Sequence, residues 1–253
     1  MKDIHSHILF DIDDGAYNIE ESIEIIKQAI NNKYTDIVLT PHYRKKQNFT
    51  ANNKIKLELF NKLVDKVKKE NLKINLYLGN EITVNEDLIY NLNTKQVLTI
   101  NNSRYLLLEL PFKGKRKYLD ELLDELIENG YMIIIVHPER YKDYYIKDYK
   151  KMISKGILFQ GNIETLYGKY GRSVKLKLEN MLKKHMIHFM GSDIHKSYDI
   201  TYERNIKEKL EHLLNDEIMV NDLINKNIDK VIKNKEVKPY PIIENKKIKI
   251  FNK

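Results

Sequence analysis

No cysteine occurs among the 253 residues. That absence excludes disulfides, thiolate metal ligands and every mechanism built on a cysteine nucleophile. No apolar run is long enough to cross a bilayer, and Asp3, His5 and His7 interrupt the first apolar stretch, where a secretory signal would need an unbroken one. A cytoplasmic protein without membrane insertion is expected. A glycine-rich phosphate loop is also missing: the segment between Gly168 and Gly171 has neither the glycine spacing nor the Lys-Ser/Thr end of one. No linker, composition break or internal repeat divides the chain. One domain over 1–253 is expected, with a barrel over about 1–215 and a C-terminal helix and tail over 216–253.

The chain is instead rich in charge and aliphatic residues. It is 42% hydrophobic and 32% charged, with a net charge of +8 and a pI near 9.2. Such a chain is globular and long enough to bury a substantial core. Its lysines are spread along every helical stretch, so the positive charge reads mainly as a solvated surface, and no nucleic-acid partner is expected.

Short apolar runs alternate with amphipathic stretches. The runs at 2–10, 35–42, 74–82, 103–111, 131–139, 156–163 and 186–195 are rich in Ile, Leu, Val and Tyr and bounded by polar residues or glycine, as strands are. The intervening stretches at 19–33, 52–71, 118–129, 144–155, 171–185 and 202–214 carry helical spacing, and a last helix is expected near 217–234. Asn18 and Glu21 form an N-cap and capping-box pair for the first of them. Strictly alternating strands and helices imply parallel βαβ units. The fold class expected is α/β, most economically a single barrel.

Polar residues cluster at the strand ends: His5 and His7, His42, Glu81, Glu109, His137, then Asp193 and His195. In a parallel barrel these carboxyl ends share one face, where active sites are built. A single histidine near a strand end is more often a hydrogen-bonded structural residue than a ligand. Here, however, five of the 8 histidines fall at such ends. His185 and His212 read as surface residues and His188 as a core or supporting group. Residues i and i+2 of a strand point to the same side, so His5 with His7, and Asp193 with His195, each bite one ion. Asp3 shares the parity of His5, one step deeper. Nitrogen and oxygen donors without sulfur suit Mn, Fe or Zn, and eight candidates imply two or three ions. Clustered divalent cations neutralise phosphate oxygens and generate hydroxide near neutral pH, which points to phosphate-ester hydrolysis.

The motifs DIHSHILFDIDDGA, TPHY, GNEI, LLLELP, HPER and GSDIH, in this order over residues 1 to about 200, resemble the PHP (polymerase and histidinol phosphatase) superfamily. Within it, IDDGA and HPER are similar to the bacterial protein-tyrosine phosphatases of capsule and exopolysaccharide operons. That resemblance implies a distorted (β/α)7 TIM-like barrel of the PHP type with a trinuclear centre, usually Mn2+-dependent, with Fe, Zn or Mg as alternatives. It implies His5, His7, His42, Glu81, Glu109, His137, Asp193 and His195 as ligands, and Asp14 of the Asp13-Asp14 pair as the acid nearest the metals. Arg140 matches the arginine that contacts substrate phosphate. The second arginine that often follows the S-D-x-H motif is replaced here by Lys196-Ser197-Tyr198, so the expectation is that Lys196 or Arg204 supplies that charge or that the contact is missing. A metal-bound hydroxide attacking phosphorus in line is implied, with Asp14 or His42 protonating the leaving phenolate. The implied substrate is a phosphotyrosine protein, such as the tyrosine-rich tail of an autophosphorylating bacterial kinase. Tyr43, Tyr141, Tyr144, Tyr145, Tyr167 and Tyr198 lie near the motif loops, either stacking on substrate or, more simply, packing the barrel rim. The rival readings are another PHP phosphoesterase (a histidinol-phosphate phosphatase or a small-molecule phosphodiesterase), a sugar deacetylase, and a non-catalytic metal-binding scaffold. Oligomeric state has no signal in the sequence.

Overall fold

The aliphatic runs form short parallel strands. The computed structural model describes residues 1–199 and 201–244 and contains β1 (Lys2–Ser6), β2 (Asp36–Leu39), β3 (His42–Tyr43), β4 (Asn75–Leu78), β5 (Glu81–Thr83), β6 (Tyr105–Glu109), β7 (Met132–Val136), β8 (Leu158–Asn162) and β9 (Phe189–Gly191). The helices are α1 (Ile19–Asn31), α2 (Asn53–Lys69), α3 (Leu88–Asn93), α4 (Leu119–Glu128), α5 (Ile146–Ser154), α6 (Ile163–Leu166), α7 (Arg172–Lys183), α8 (Ile206–Leu214), α9 (Glu217–Asn221) and α10 (Asn227–Ile232). The expected last helix is continuous from α9 to α10 through a π-helical turn at Asp222–Lys226. The alternating apolar residues of the tail at 248–251 lie outside the described residues.

The strands pair in the orders β1-β2-β4 and β3-β5-β6-β7-β8-β9, all parallel. Two runs expected as single strands are each broken, at Thr40-Pro41 between β2 and β3 and at Gly79-Asn80 between β4 and β5. Proline cannot donate to a ladder, so the pairing stops there. Side chains take over: Thr40 Oγ1 accepts Ser6 N (3.1 Å), and Asn80 Nδ2 donates to the Pro41 carbonyl (2.7 Å). Lys56, buried, donates from Nζ to Asn80 Oδ1 (2.7 Å) and holds that amide in place. Beyond the two breaks, His42 faces Glu81 across the ladder. The ring then closes through a parallel bridge between Ser6 and Ile194, with His7 N donating to Ile194 O (2.8 Å) and Asp193 N to His5 O (2.9 Å).

The first helix starts as its sequence requires. Asn18 Oδ1 accepts Glu21 N at 2.8 Å, and Glu21 returns to the Tyr17 N–H at 2.7 Å, one residue earlier than in a standard capping box. Leu, Ile, Met and Tyr side chains pack the helices onto the outer faces of the strands. Inside the ring, Ile4, Val38, Leu107, Ile134, Val136, Leu158 and Phe189 meet Ile228, Val231 and Ile232 of α10. Each fully buried aliphatic side chain contributes about 1.5–3 kcal/mol, so α10 is an integral plug at the amino ends of the strands. Lys2 Nζ secures it to Asp229 (2.7 Å). With that end sealed by apolar residues, only the carboxyl ends remain for polar chemistry.

His188 belongs to the core. It is buried, its Nδ1 accepts the Phe159 N–H at 3.0 Å, and burial lowers its pKa to about 3. The unfolded chain protonates this histidine near the ordinary 6.5, so stability at this position is complete above that pH and is lost as pH falls from 6.5 towards 3. Urea melts of the wild type and a His188→Gln variant are expected to diverge below pH 6.5, the wild type losing up to about 1.4 kcal/mol more per pH unit. Parallel curves would remove His188 as the cause.

Candidate metal centre

The row of strand carboxyl ends begins with an irregularity. The β1–β2 register shifts between Asp3 and Ser6. Ile4 can therefore join the interior plug while His5 reaches the mouth of the ring. Asp3, expected on the side of His5 and His7, instead accepts Ser192 N (3.0 Å), Ser192 Oγ (2.5 Å) and Tyr202 OH (2.5 Å). Tyr202 belongs to the outer layer under α1, so Asp3 ties β1 to β9 from outside and is not a deeper member of the ligand row.

The eight strand-end ligand candidates and Asp14 converge. His5 Nε2 and His7 Nε2 lie 3.3 Å apart, and each is within 3.5 Å of both Glu81 Oε2 and Asp193 Oδ1. The other Glu81 oxygen is 3.1 Å from His137 Nε2, which lies 3.8 Å from Glu109 Oε1. Asp14 Oδ1 is 3.5 Å from His42 Nε2 and 3.6 Å from His195 Nε2, and these three group with His7. The result is three overlapping clusters, of which two share Glu81.

Hydrogen bonding does not account for this arrangement. Glu81 Oε2 and His137 Nδ1 are buried without a hydrogen-bond partner; His42 Nδ1 approaches Glu81 Oε2 to 2.7 Å but outside bonding geometry. A buried polar atom left unpaired costs about 1–3 kcal/mol. Cations between these donors would satisfy them, and an all nitrogen and oxygen donor set fits first-row divalent ions. The residues present therefore fit a multinuclear centre.

Charge follows the same pattern. Burial works against ionisation of Glu81, but His42, His5 and His137 hold its carboxyl well below the usual range. Asp193 is held down likewise, chiefly by His5, against its burial. Burial opposes protonation of His7, yet the adjacent Asp13 raises it well above its ordinary value. The upward shifts of His5 and His7 beside the downward shifts of Glu81 and Asp193 favour imidazolium next to carboxylate, and metal bound by these two rings displaces their protons.

Around the ligands stands a layer of partners that strand-end logic does not reveal. Gln160 Oε1 lies 2.9 Å from His5 Nδ1, and Asn162 Nδ2 donates to Asp193 Oδ2 at 2.7 Å; both sit on β8, a strand with no ligand of its own. Asp13 is the orienting member of the acidic pair. Its Oδ2 takes His7 Nδ1 (2.8 Å) and the His42 N–H (2.8 Å), its Oδ1 takes the Gly15 N–H (2.9 Å), and its pKa falls to about 2 despite burial, chiefly through His7. Gly15 has no room for a side chain: a Cβ there would sit 2.0 Å from the His7 carbonyl oxygen. Partners of this kind typically govern metal affinity by 10–100-fold. Asp13→Asn is expected to weaken metal binding by about that factor with little change in fold, read by metal titration calorimetry. Unchanged affinity would show that Asp13 does not orient His7.

The ligand end opens on a cavity of about 140 Å³ lined by Asp14, His42, Arg44, Phe112, Arg140 and His195 among others. Arg140 donates to Asp193 Oδ2 (3.2 Å), and its guanidinium lies over the rings of Phe112 (4.8 Å) and Tyr170 (4.4 Å). Arg44 is a second cation at the cavity wall, donating to Glu109 Oε2 at 2.6 Å; it directly follows the TPHY motif, the one signal that points to it. Lys196 and Arg204 are placed elsewhere. Lys196 is buried, donates to the Gly15 carbonyl and lies under the Tyr17 ring, while Arg204 stacks on Tyr167 beside Glu164. Neither lines the cavity, which runs against the substrate contact expected of them. Tyr43, Tyr141 and Tyr144 are buried packing residues, Tyr145 and Tyr198 are exposed, and Tyr167 backs Arg204. Phe112 and Tyr170, rather than these six, flank the arginine.

Comparison with known proteins agrees with this geometry. The family described as "Capsular polysaccharide synthesis, CpsB/CapC" matches residues 1–233. The putative tyrosine-protein phosphatase CapC of Staphylococcus aureus is 38% identical over 197 residues, 77% of each chain. The tyrosine-protein phosphatase YwqE of Bacillus subtilis is 30% identical over 202 residues, again 77% of each chain. A solved structure from work on YwqE of Bacillus subtilis and CpsB of Streptococcus pneumoniae, described as unique metal-dependent tyrosine phosphatases, superposes with a TM-score of 0.84 at 27% identity. It covers 96% of this chain and 100% of its own.

Proposed function

Since the chain belongs to the CpsB/CapC family of capsular polysaccharide synthesis, we propose that it is a metal-dependent protein-tyrosine phosphatase that hydrolyses phosphotyrosine on a protein substrate. The observation that carries the proposal is the pair of ligand clusters sharing Glu81, open to a cavity in which the Arg140 guanidinium lies over two aromatic rings. The arrangement requires no cysteine, which the sequence lacks.

In this reading His5, His7, His42, Glu81, Glu109, His137, Asp193, His195 and Asp14 hold divalent ions, with manganese the proposed metal. When bound, the ions supply positive charge to phosphoryl oxygens and acidify water near neutral pH. The protein supplies orientation and a shaped wall. Arg140, held at one edge by Asp193 and with its guanidinium over the Phe112 and Tyr170 rings, binds two oxygens of a tetrahedral phosphate at once. Phe112 also stacks on His137, with ring centres 5.6 Å apart, and offers the tyrosyl ring an apolar face between arginine and ligands. Asp14, half-exposed at the mouth beside His42, is the proposed relay of a solvent proton to the departing phenolate when its carboxylate is not ligating an ion. The proposed partner is the phosphorylated tail of a bacterial tyrosine kinase governing capsule or exopolysaccharide synthesis, and the proposed location is the cytoplasm. No helix among the described residues is long and apolar enough to cross a membrane.

Purified protein with added manganese is expected to hydrolyse p-nitrophenyl phosphate and phosphotyrosine peptides, to lose that activity to a chelator, and to regain it with manganese. Activity insensitive to chelator would refute the metal centre. A strong preference for histidinol phosphate over phosphotyrosine peptide would favour the other phosphoesterase reading.

A further inference from the structure

Beside the ligand cluster lies a larger groove. It measures about 670 Å³ and shares Arg44, Glu109 and Phe112 with the smaller catalytic cavity, so the two adjoin at these residues. Its walls carry five cations, Arg44, Lys45, Lys46, Lys113 and Arg116, against two acids, Glu86 and Glu109. Glu109 is already paired with Arg44, and Lys45 is held by Asp87 at 2.7 Å. Among the described residues, the exposed side chains of Lys46, Lys113 and Arg116 make no hydrogen bond or ion pair. The floor is apolar, made by Val84, Pro111, Phe112 and Tyr118. An apolar floor with unneutralised cations on the rim has the character of a built recognition surface rather than a uniformly solvated face.

We propose that this groove is a binding site for the polypeptide adjoining the phosphotyrosine, and that it selects anionic side chains, carboxylate or phosphate, in that segment. The proposal rests on the phosphatase reading of the neighbouring cavity. A phosphotyrosine placed with its phosphate on Arg140 and its ring on Phe112 leaves its own backbone at the boundary that the two cavities share. The chain on one side of it then runs over the apolar floor. Lys46, Lys113 and Arg116 make no ion pair with an acid of the protein among the described residues, and acidic side chains of the substrate outnumber the single unpaired Glu86 of the groove. Charge complementarity of this kind acts mainly through encounter and KM, and it weakens with salt.

The test uses the full chain with manganese and three peptides of equal length around one phosphotyrosine. One has neutral flanks, one has glutamates on both sides, and one carries a second phosphotyrosine. Wild type is expected to favour at least one anionic peptide by about tenfold or more in kcat/KM, chiefly through KM, with the preference shrinking as salt rises past the screening regime. Whether the glutamate or the second-phosphate peptide is preferred identifies the anion. The Lys46→Glu/Lys113→Glu/Arg116→Glu variant is expected to lose the preference while p-nitrophenyl phosphate turnover stays within about twofold, since none of the three touches the catalytic cavity. Fluorescence anisotropy with the same peptides reads the groove independently of turnover. Failure to hydrolyse p-nitrophenyl phosphate would thus overturn the phosphatase reading alone. Equal binding and equal kcat/KM for the three peptides would overturn the groove, as would an equal loss on p-nitrophenyl phosphate in the triple variant.

Discussion

Glu81→Gln is expected to lower aryl-phosphate turnover by about three orders of magnitude or more and to strip metal from the protein. The carboxylate lies at the centre of the site. One oxygen is 3.1 Å from His137 Nε2, and the other is within 3.5 Å of the ring nitrogens of His5, His7 and His42. It is common to two of the candidate ligand clusters, as is His7, and is the only carboxylate so shared among the described residues. Glutamine keeps the shape but removes the negative charge and turns one acceptor into an N–H donor facing imidazole nitrogens. Metal charge at a transferring phosphoryl group is worth several kcal/mol, and each 1.4 kcal/mol is about tenfold in rate. Metal content by mass spectrometry and kcat/KM on p-nitrophenyl phosphate check the prediction together. A variant that keeps full metal content and activity would refute the shared role of Glu81. The fold should survive, because Asn80, held by Lys56 and bonded to Pro41, positions this strand end without Glu81.

Arg140→Ala is expected to reduce kcat/KM by about 10²–10³, the usual result of removing one preorganised donor from a developing oxyanion. The guanidinium lies over the Phe112 and Tyr170 rings and is bonded at one edge to Asp193, contacts that restrict its orientation before phosphate arrives. Asp193 keeps a hydrogen bond from Asn162 at 2.7 Å in the variant, and metal content is expected to persist. That separates this variant from Glu81→Gln: activity falls while metal stays. Arg140→Lys keeps the charge but not the planar fork or the stacking, and should recover only a small part of the loss. Wild-type kinetics in Arg140→Ala would remove the residue from the site.

The order of strands and helices was legible because each run carried its own period and punctuation. The breaks at Thr40-Pro41 and Gly79-Asn80 were not, since 35–42 and 74–82 each read as one strand-like run with those residues near its carboxyl end. Asp3 was placed on the wrong side for a related reason: strand parity assumes regular pairing, and the register of β1 shifts between Asp3 and Ser6. His137 and Asp193 adopt left-handed backbone conformations, with φ of 34° and 54°, and no local pattern announces them. For histidine that conformation is unfavourable by roughly 1–2 kcal/mol, and the surrounding structure must hold it. Arg44, Gln160, Asn162 and Tyr170 escaped notice because their roles come from neighbours distant in sequence. Lys196 and Arg204 drew attention by their proximity in sequence to the last motif, yet their side chains turn to Gly15 and Glu164.

The sequence by itself determined the chemistry of the donors. Histidine and carboxylate at successive strand ends, with no cysteine anywhere, admit nitrogen and oxygen ligation and exclude a thiolate route. The tertiary structure decided which donors meet. His5, Glu81 and Asp193 come from opposite parts of the chain, and their distances depend on the Ser6–Ile194 closure, the bulge in β1 and the two strand breaks. Spacing along a strand constrains side-chain direction over two residues. Separation across a closed ring depends on every register between the strands involved, and only the assembled barrel sets those registers.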